Sequence, residues 1–299
     1  MKSPTPHIAV ITGSSGLIGH ALSVHLAAQG WLVRHLVRHE PTSPTQFYWN
    51  PERGECDVRA FAGAAALFHL AGENIAAGRW TEARKRTLLL NRQACMSTLH
   101  KALAAAPDKP ACAIFASAVG YYGTFSKMPV DETAPVGQGF AAKVCQGIEA
   151  FGAVAGVRTV YPRLGVVLAT HGGALAKMLP AFRLGLGGKL GKGTQPFAWI
   201  SLPDAVNALV HLAQSPQLEG AVNLVAPATT SQQEFAQALG YALHRPSMFP
   251  MPAWVAKLLF GEMGEELLLQ GVHVLPAKLQ NSGFVFQQPT LVQALQNIK

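Results

Sequence analysis

Charged residues are scarce in this chain of 299 residues, because Asp, Glu, Lys and Arg together make up only 13% of it. Soluble globular domains average about 25%. Hydrophobic residues account for 49%, so the chain has enough apolar surface for a large core, and we exclude a disordered protein. The length allows one large domain, or one domain with an appended lobe.

Acidic residues are fewer than basic ones: the chain has 16 acidic and 24 basic residues, which gives a net charge of +8. Such a balance is one sign of nucleic-acid binding. The basic residues are scattered, however, and the one tight cluster, Arg84-Lys85-Arg86, is typical of a solvated helix face. A small anionic ligand explains the positive excess equally well, and we predict that the protein does not bind nucleic acid.

Metal-binding and membrane-spanning patterns are also missing. The four cysteines form no Cys-x-x-Cys pair, which predicts free buried thiols in a reducing compartment. The eleven histidines form no His-x-His pattern, so we predict no metal site. No apolar run reaches the roughly 18 residues of a membrane span. The single lysine before the first strand does not indicate a signal peptide, and we expect a cytoplasmic protein without membrane binding.

The clearest positive signal lies at the start of the chain, where an apolar strand runs through a glycine-rich turn into a helix. The strand, His7 to Ile11, is followed by Thr12 and the turn, and the helix-like stretch from His20 ends on Gly30. This order is typical of the first βαβ unit of a dinucleotide-binding domain, in which backbone N–H groups at the helix start face the phosphates. We predict that the cofactor contacts Gly13, Ser14, Ser15, Gly16, Leu17, Ile18 and Gly19.

Three glycines of this turn have separate predicted roles. Gly13 allows the backbone angles of a tight turn, and Gly16 allows the backbone to approach the pyrophosphate. Gly19 lets the helix pack closely on the strand.

The residue after the second strand predicts which dinucleotide binds. An acidic side chain there would hold the ribose 2′-OH of NAD, whereas an arginine suits the 2′-phosphate of NADP. Here the strand ends in Val37-Arg38-His39, and the first acid is Glu40. We therefore predict NADP, with Arg38 on its 2′-phosphate; the alternative is that Arg38 is an ordinary surface residue.

Strand and helix patterns alternate through the first half of the chain. Strands are predicted at 31–37, 64–72, 112–117 and 159–164, and helices at 81–106 and 141–155, although Pro162 weakens the last strand. This alternation predicts an α/β fold, a Rossmann-type doubly wound parallel sheet with a smaller C-terminal substrate lobe. We divide the chain into an NADP-binding domain at 1–171, with its sheet completed by later segments, a substrate-side lobe at 172–245 and a small accessory domain at 246–299.

One further segment has two possible interpretations. The glycine-rich stretch 185–193 fits either a flexible linker or a phosphate-contacting loop near Arg183.

Asp204 is predicted to cap the helix 205–214. Trp199 could stack on a base or sugar, and the tail has a helix-like segment at 254–260.

Motifs along the whole chain resemble those of the extended short-chain dehydrogenase/reductase superfamily. They are Thr12-Gly13-x-x-Gly16-x-x-Gly19, His69-Leu70-Ala71-Gly72, Asn91, Ser117 to Gly123, and Phe197 to Asp204. The phrases Ala71-Gly72-Glu73-Asn74-Ile75 and Gly261-Glu262-Met263 look like the NAD(P)-dependent epimerase/dehydratase branch described as nucleoside-diphosphate-sugar epimerases, which has a small C-terminal domain of unknown function. The resemblance and the strand-end rule add these cofactor-binding candidates: Leu70, Ala71, Gly72, Glu73, Asn91 and the strand-end Arg163.

The resemblance implies catalysis by a serine and a Tyr-x-x-x-Lys motif, in which the lysine and the nicotinamide lower the tyrosine pKa. No Tyr-x-x-x-Lys occurs in the chain. The superfamily often carries glutamate four residues after the lysine, and alignment on Glu149 puts the lysine position at Cys145 and the tyrosine position at Ala141. Lys143 would point to the other helix face, and nothing in the sequence predicts an activated Cys145 thiolate.

Substitute catalytic residues are therefore predicted at the end of the serine strand. Tyr121 and Tyr122 are candidate proton donors, although both could be packing residues. Ser117 is the candidate that holds the substrate, with Ala118 as the alternative position. Two functions remain open: an NADP-dependent epimerase or oxidoreductase acting on a small molecule such as a nucleotide-linked sugar, or a catalytically silent NADP-binding sensor or scaffold. The enzyme is favoured, and the sequence leaves a monomer and a homodimer open.

Overall fold

A computed structural model describes residues 7–124, 126, 128–296 and 298. The stretch before the first strand, and the outer ends of the first and third predicted domains, lie outside the described residues. Within those residues, no helix combines the length and apolarity that a membrane crossing requires.

Eleven strands are described. They are β1 (Ile8–Thr12), β2 (Leu32–Val37), β3 (Gln46–Asn50), β4 (Glu55–Cys56), β5 (Ala64–His69), β6 (Cys112–Phe115), β7 (Ser117–Ala118), β8 (Arg158–Leu164), β9 (Val166–Leu168), β10 (Trp199–Ser201) and β11 (Gly220–Leu224). The main sheet has the order β11-β8-β6-β5-β1-β2-β3-β4, with β7 also paired to β8. Every pair in it is parallel except β3 with β4.

Ten α-helices accompany the strands. They are α1 (Leu17–Ala28), α2 (Glu82–Ala105), α3 (Phe140–Glu149), α4 (Gly173–Arg183), α5 (Leu202–Gln214), α6 (Gln232–Ala242), α7 (Ala253–Phe260), α8 (Glu262–Leu268), α9 (Ala277–Asn281) and α10 (Leu291–Leu295). Short 3-10 helices span Val58–Phe61 and Val119–Tyr122.

The main sheet is covered on both faces, because successive strand residues point to opposite sides. Val10 of β1 packs in one core with α2 and α3, whereas its neighbours Ala9 and Ile11 pack in a second core with α1 and α5. The predicted Rossmann-type α/β architecture is confirmed by this arrangement.

β11 joins the main sheet beside β8, so part of the range 172–245 belongs to the core of the first domain. The rest forms a separate cluster in which α4, α6 and α10 pack around Trp199. Here β9 and β10 form a second, two-stranded parallel sheet. The chain enters this cluster directly after the carboxyl ends of β8 and β11, and a ligand of an open parallel sheet is expected beyond such strand ends.

Two local predictions are corrected. The helix expected at 141–155 ends at Glu149, because Gly152 and Gly156 adopt positive φ angles of 68° and 78° in the turns that follow. Asp204 does not cap the next helix: Ser201 accepts the N–H of Asp204 and is the N-cap. The buried Asp204 carboxylate instead accepts the backbone N–H groups of 287 and 288 at 2.7 and 2.9 Å, and so fixes the tail to α5.

The glycine-rich stretch 185–193 pairs with the chain at 249–251. Phe249 donates its backbone N–H to Gly187, and Met251 donates to Lys189 at 2.9 Å. A Cβ at Gly188 would meet the Phe249 backbone, so glycine permits this close approach. The stretch is therefore held to the tail by backbone hydrogen bonds.

We expect Gly19→Ala to lower the free energy of unfolding by about 1–3 kcal/mol, as overpacking does. The added methyl group would press against the carbonyl oxygen of Gly13. Urea unfolding followed by circular dichroism measures the change. Gly147→Ala is the matched control, because a Cβ at this helical glycine meets no atom within 4 Å; it should stabilise by about 0.5–1 kcal/mol. Equal stability of both variants would contradict the packing role of Gly19.

Candidate active site

The glycine turn after β1 is held by close backbone contact with the turn after β5. Gly13 has a φ of 72°, and a Cβ on it would lie 2.7 Å from the Ala71 nitrogen. Gly19 carries α1 against the same turn, because its Cα approaches the Gly13 carbonyl. A side chain at either position would collide with backbone atoms of these turns, so both positions need glycine.

The N-terminus of α1 opens toward solvent behind this turn. Gly16 is the N-cap, no side chain in the described part of the chain caps it, and the first turn carries no acid. Gly16 and Ser15 are exposed, Ser14, Leu17 and Ile18 are partly exposed, and a Cβ at Gly16 would meet only the Gly13 oxygen. Uncapped N–H groups and the helix dipole form an anion site. The residues present therefore fit a dinucleotide diphosphate.

A threonine links the two turns through hydrogen bonds. The Thr12 hydroxyl accepts the backbone N–H groups of Leu70 and Ala71, both at 3.2 Å, and contacts His69 Nδ1 at 2.7 Å. Burial, and then the charge of Arg92, lower the pKa of His69 to about 3. His69 is therefore neutral at physiological pH, and it holds the threonine in place.

The Glu73 segment is tied to α2. Asn91 accepts the Glu73 backbone N–H at 3.1 Å, and the Glu73 carboxylate pairs with Arg84 at 3.0 Å. Arg92 donates to the carbonyl oxygens of Ala71 and Glu73 at 3.2 and 2.9 Å. Asn91 thus positions the turn through its amide oxygen, and the Glu73 carboxylate already has a cationic partner.

Arg38 is exposed just beyond the carboxyl end of β2, the strand next to β1. Burial raises the pKa of Cys95 on α2 to about 11. The charges of Arg92 and Arg38 both oppose this effect. Arg38 thus lies at the sheet edge where a ligand of an open parallel sheet is expected.

Ser117 and Arg163 meet on a buried carboxylate. Arg163 forms a bidentate pair with Glu149, at 3.0 and 2.7 Å, and Ser117 donates its hydroxyl to the same Glu149 at 2.7 Å. Burial alone would lower the pKa of Arg163, but the hydrogen bonds of Glu149 and Tyr122 raise it above its usual value. The structure thus places Arg163 in an ion pair and directs the Ser117 hydroxyl to Glu149.

Tyr122 extends this network across the sheet. Its hydroxyl accepts a hydrogen bond from Arg163 at 2.8 Å and donates to Asn223 at 2.6 Å. Tyr122 is 4% exposed, and this burial raises its pKa despite the hydrogen bonds of Arg163 and Asn223. A buried hydroxyl with both partners occupied is suited to a structural role.

Tyr121 has a different environment from its neighbour. Its ring lies 3.4 Å from the guanidinium carbon of Arg163, which stacks over its face, and it is only partly buried. Among the described residues, none forms a hydrogen bond with the Tyr121 hydroxyl, whereas the neighbouring Tyr122 hydroxyl has two partners. Of the two tyrosines, Tyr121 is the one whose hydroxyl remains open to a ligand.

The positions of the superfamily tyrosine and lysine are tightly packed. A Cβ at Gly120 would lie 3.2 Å from the Ala141 side chain and 3.8 Å from the Cys145 sulfur. Burial raises the pKa of Cys145 to about 11 despite hydrogen bonds with Ala118 and Ser117, so the thiol stays protonated. Lys143 is exposed on the other face of α3. The N-terminus of α3 is capped from the tail, because Glu266 accepts the N–H groups of residues 140 and 141 at 2.9 and 3.1 Å.

A cavity of about 250 Å³ lies beyond β10 and β11. Its walls include Ala198, Val225, Val272 and Val274, which also pack in one apolar cluster with Tyr121 and Tyr122. The polar groups on its walls are Thr194, Thr229, Thr230, Ser231, Glu234 and His273. The cavity therefore adjoins the candidate proton donor, and the one carboxylate among its lining residues is that of Glu234.

The sequence did not predict site roles for Arg92, Asn223 or Glu266. It also did not predict that Glu149 is the ion-pair partner of Arg163. Only Arg92 left a signal, since it interrupts the buried stripe formed by Leu88, Cys95 and Leu99 of α2. The others act through partners distant in sequence, as Asn223 does for Tyr122, and a single sequence does not reveal such pairs.

The sequence model of the NAD dependent epimerase/dehydratase family matches residues 9–224, and that of a domain of unknown function, DUF1731, matches residues 251–298. The chain is 41% identical to Epimerase family protein Mb2239 of Mycobacterium bovis over 291 residues, which cover 96% of each chain. It is 35% identical to Epimerase family protein SDR39U1 of Homo sapiens, covering 97% of this chain and 98% of the human protein.

Solved structures agree with these matches. A crystal structure of human epimerase family protein SDR39U1 with NADPH superposes with a TM-score of 0.90 at 33% identity, covering 97% of this chain and 98% of that one. The nucleoside-diphosphate sugar epimerase of Corynebacterium glutamicum gives 0.78 at 30% identity, covering 97% of this chain and 57% of that one. On these grounds, the chain belongs to the NAD dependent epimerase/dehydratase family, and its C-terminal region to the DUF1731 domain family.

Proposed function

We propose that the protein is an NADP(H)-dependent enzyme of the epimerase or oxidoreductase class, with Tyr121 as the proton donor to a small substrate. The observation that carries the proposal is the uncapped N-terminus of α1 behind the Gly13–Gly16 turn, at the sheet edge that Arg38 and Tyr121 share. NADPH in the human relative supports the cofactor. When bound, this cofactor supplies or accepts a hydride.

The chain's own groups supply binding and protonation. The α1 N–H groups hold the diphosphate, and Arg38 pairs with the 2′-phosphate, whose charge and geometry suit a guanidinium. Tyr121 gives its phenolic proton to the substrate oxygen, with its ring fixed by Arg163. The neighbouring cavity holds the rest of the substrate.

A nucleotide-linked sugar is the substrate suggested by the relative from Corynebacterium glutamicum. Among the residues that line the cavity, none is a lysine or arginine, and such cations are the usual partners of a diphosphate. A substrate screen should therefore test UDP-glucose and, beside it, neutral hydroxy and carbonyl compounds that are similar in size to the cavity.

The second candidate is a sensor or scaffold that binds NADP(H) without chemistry. It is favoured by one specific observation: Ser117 and Tyr122, two of the three predicted catalytic residues, have their hydroxyls engaged by Glu149 and Asn223. The two candidates differ in whether the nicotinamide hydride is ever transferred. Retention of all deuterium in 4-deuterated NADPH across the whole screen would favour the sensor.

We expect Arg38→Ala to weaken NADPH binding about 10- to 100-fold, because one charge-assisted contact is worth about 1.5–3 kcal/mol. NADH lacks the 2′-phosphate, so its affinity should not change. Titrations followed by nicotinamide fluorescence measure both. Arg86→Ala, which removes an exposed arginine on α2, is the control. Equal loss of NADH and NADPH affinity would refute a 2′-phosphate contact.

We expect Tyr121→Phe to keep the fold and to reduce the rate of NADPH oxidation by at least about 100-fold, the typical contribution of a general acid. The ring can still stack under Arg163, and only the hydroxyl is lost. Stopped-flow or steady-state absorbance with the substrate found in the screen measures the rate.

Tyr122→Phe serves as the comparison, because it removes a hydroxyl with two buried partners. We expect it to lower the free energy of unfolding by about 1–3 kcal/mol, as measured with urea. If Tyr121→Phe retained full activity while Tyr122→Phe abolished it in folded protein, the roles of the two tyrosines would be reversed.

A further inference from the structure

A cation interrupts the buried face of α2. Leu88 and Cys95, on either side of it along this face, are 1% and 2% exposed, and Arg92 stands between them at helical spacing. Positions of this kind are almost never occupied by arginine unless the charge is paired. The presence of Arg92 here therefore requires a reason beyond packing.

The contacts of Arg92 leave its charge without a carboxylate. Its two terminal nitrogens donate to the carbonyl oxygens of Ala71 and Glu73. Among the described ion pairs none involves Arg92, and the Glu73 carboxylate pairs with Arg84 instead. The Nε atom is buried without a hydrogen-bond partner in the described part of the chain. Such a group costs free energy in the unliganded protein.

The turn after β5 is built around this guanidinium. A Cβ at Gly72 would overlap the Arg92 head group, so glycine leaves the space that the side chain fills. The carbonyl oxygens before and after Gly72 both point at the guanidinium. Arg92 is thus held rigidly at the same sheet edge as the Gly13 turn, which contacts Ala71.

The charge of Arg92 also reaches α3. It acts against burial on the Cys145 thiol, and it adds to the effect of burial on His69. Cys145 stands where the superfamily pattern places its lysine, and Ser117 lies against it. The guanidinium is therefore fixed on the turn after β5, and in the sheet β5 lies on the opposite side of β1 from β2, the strand that Arg38 follows.

We propose that Arg92 replaces the absent lysine as the cation beneath the nicotinamide half of the bound dinucleotide, and that it makes the site favour the reduced cofactor. This inference rests on the proposed NADP(H) binding. The oxidised nicotinamide ring carries a positive charge, and the reduced ring is neutral. A fixed cation at this end repels only the oxidised form, and repulsion inside a partly dry site is much stronger than in water.

The test compares the dissociation constants of NADP⁺ and NADPH for wild type, Arg92→Met and Arg92→Lys. The ratio of the two constants cancels general damage to the site. We expect Arg92→Met to lower the ratio of the NADP⁺ constant to the NADPH constant about tenfold, a modest estimate for one charge at short range. Arg92→Lys keeps the charge and should keep the ratio, even if both constants rise.

Arg86→Met removes an exposed charge from the same helix and should leave the ratio unchanged. If Arg92→Met does not fold, as judged by urea unfolding, Arg92→Gln replaces it, because a neutral amide can still donate to one carbonyl.

An equal change in both constants for the neutral variant would overturn the proposal and leave Arg92 as a phosphate contact or a structural group. The proposal would also be overturned if Arg92→Lys lowered the ratio of the NADP⁺ constant to the NADPH constant as much as Arg92→Met does. Failure of wild type to bind either nucleotide would instead refute the proposed function itself.

Discussion

The ion pair between Arg163 and Glu149 is the interaction on which the substrate half of the site depends. It joins β8 to α3, and it also holds the hydroxyls of Ser117 and Tyr122. Removing one member of such a buried pair leaves an unpaired charge and typically costs about 3–5 kcal/mol. The same pair therefore sets both the packing of α3 on the sheet and the set of hydroxyls that a ligand can reach.

The cofactor half of the site is built differently. Its shape comes from backbone packed on backbone at Gly13, Gly19 and Ala71, and its anion site comes from N–H groups of α1. Few side chains are therefore needed to form this half. The proposed substrate half depends on side chains throughout, and it includes Ala141 and Cys145, the positions predicted for the superfamily tyrosine and lysine.

This difference explains what the sequence could predict. The glycine turn, the alternating sheet and the family follow from neighbouring residues, because spacing and strand periodicity are local. The roles of Ser117, Tyr122 and Arg163 depend on Glu149 and on a partner 101 residues away from Tyr122, and no local pattern encodes them. Asp204 illustrates the same limit, because a helix-start acid is expected to act on its own helix, yet its carboxylate binds the tail instead.

Arg92 connects the two halves and bears on both candidate functions. A buried guanidinium that donates only to carbonyl oxygens keeps a charge without a carboxylate partner. The proposed discrimination between the charge states of a ligand gives this charge a function. An enzyme that reduces its substrate benefits from holding NADPH more tightly than NADP⁺. A sensor of the cofactor's redox state needs the same discrimination. Under the proposal the cation serves binding in either case, and the open hydroxyl of Tyr121 is the feature that favours the enzyme.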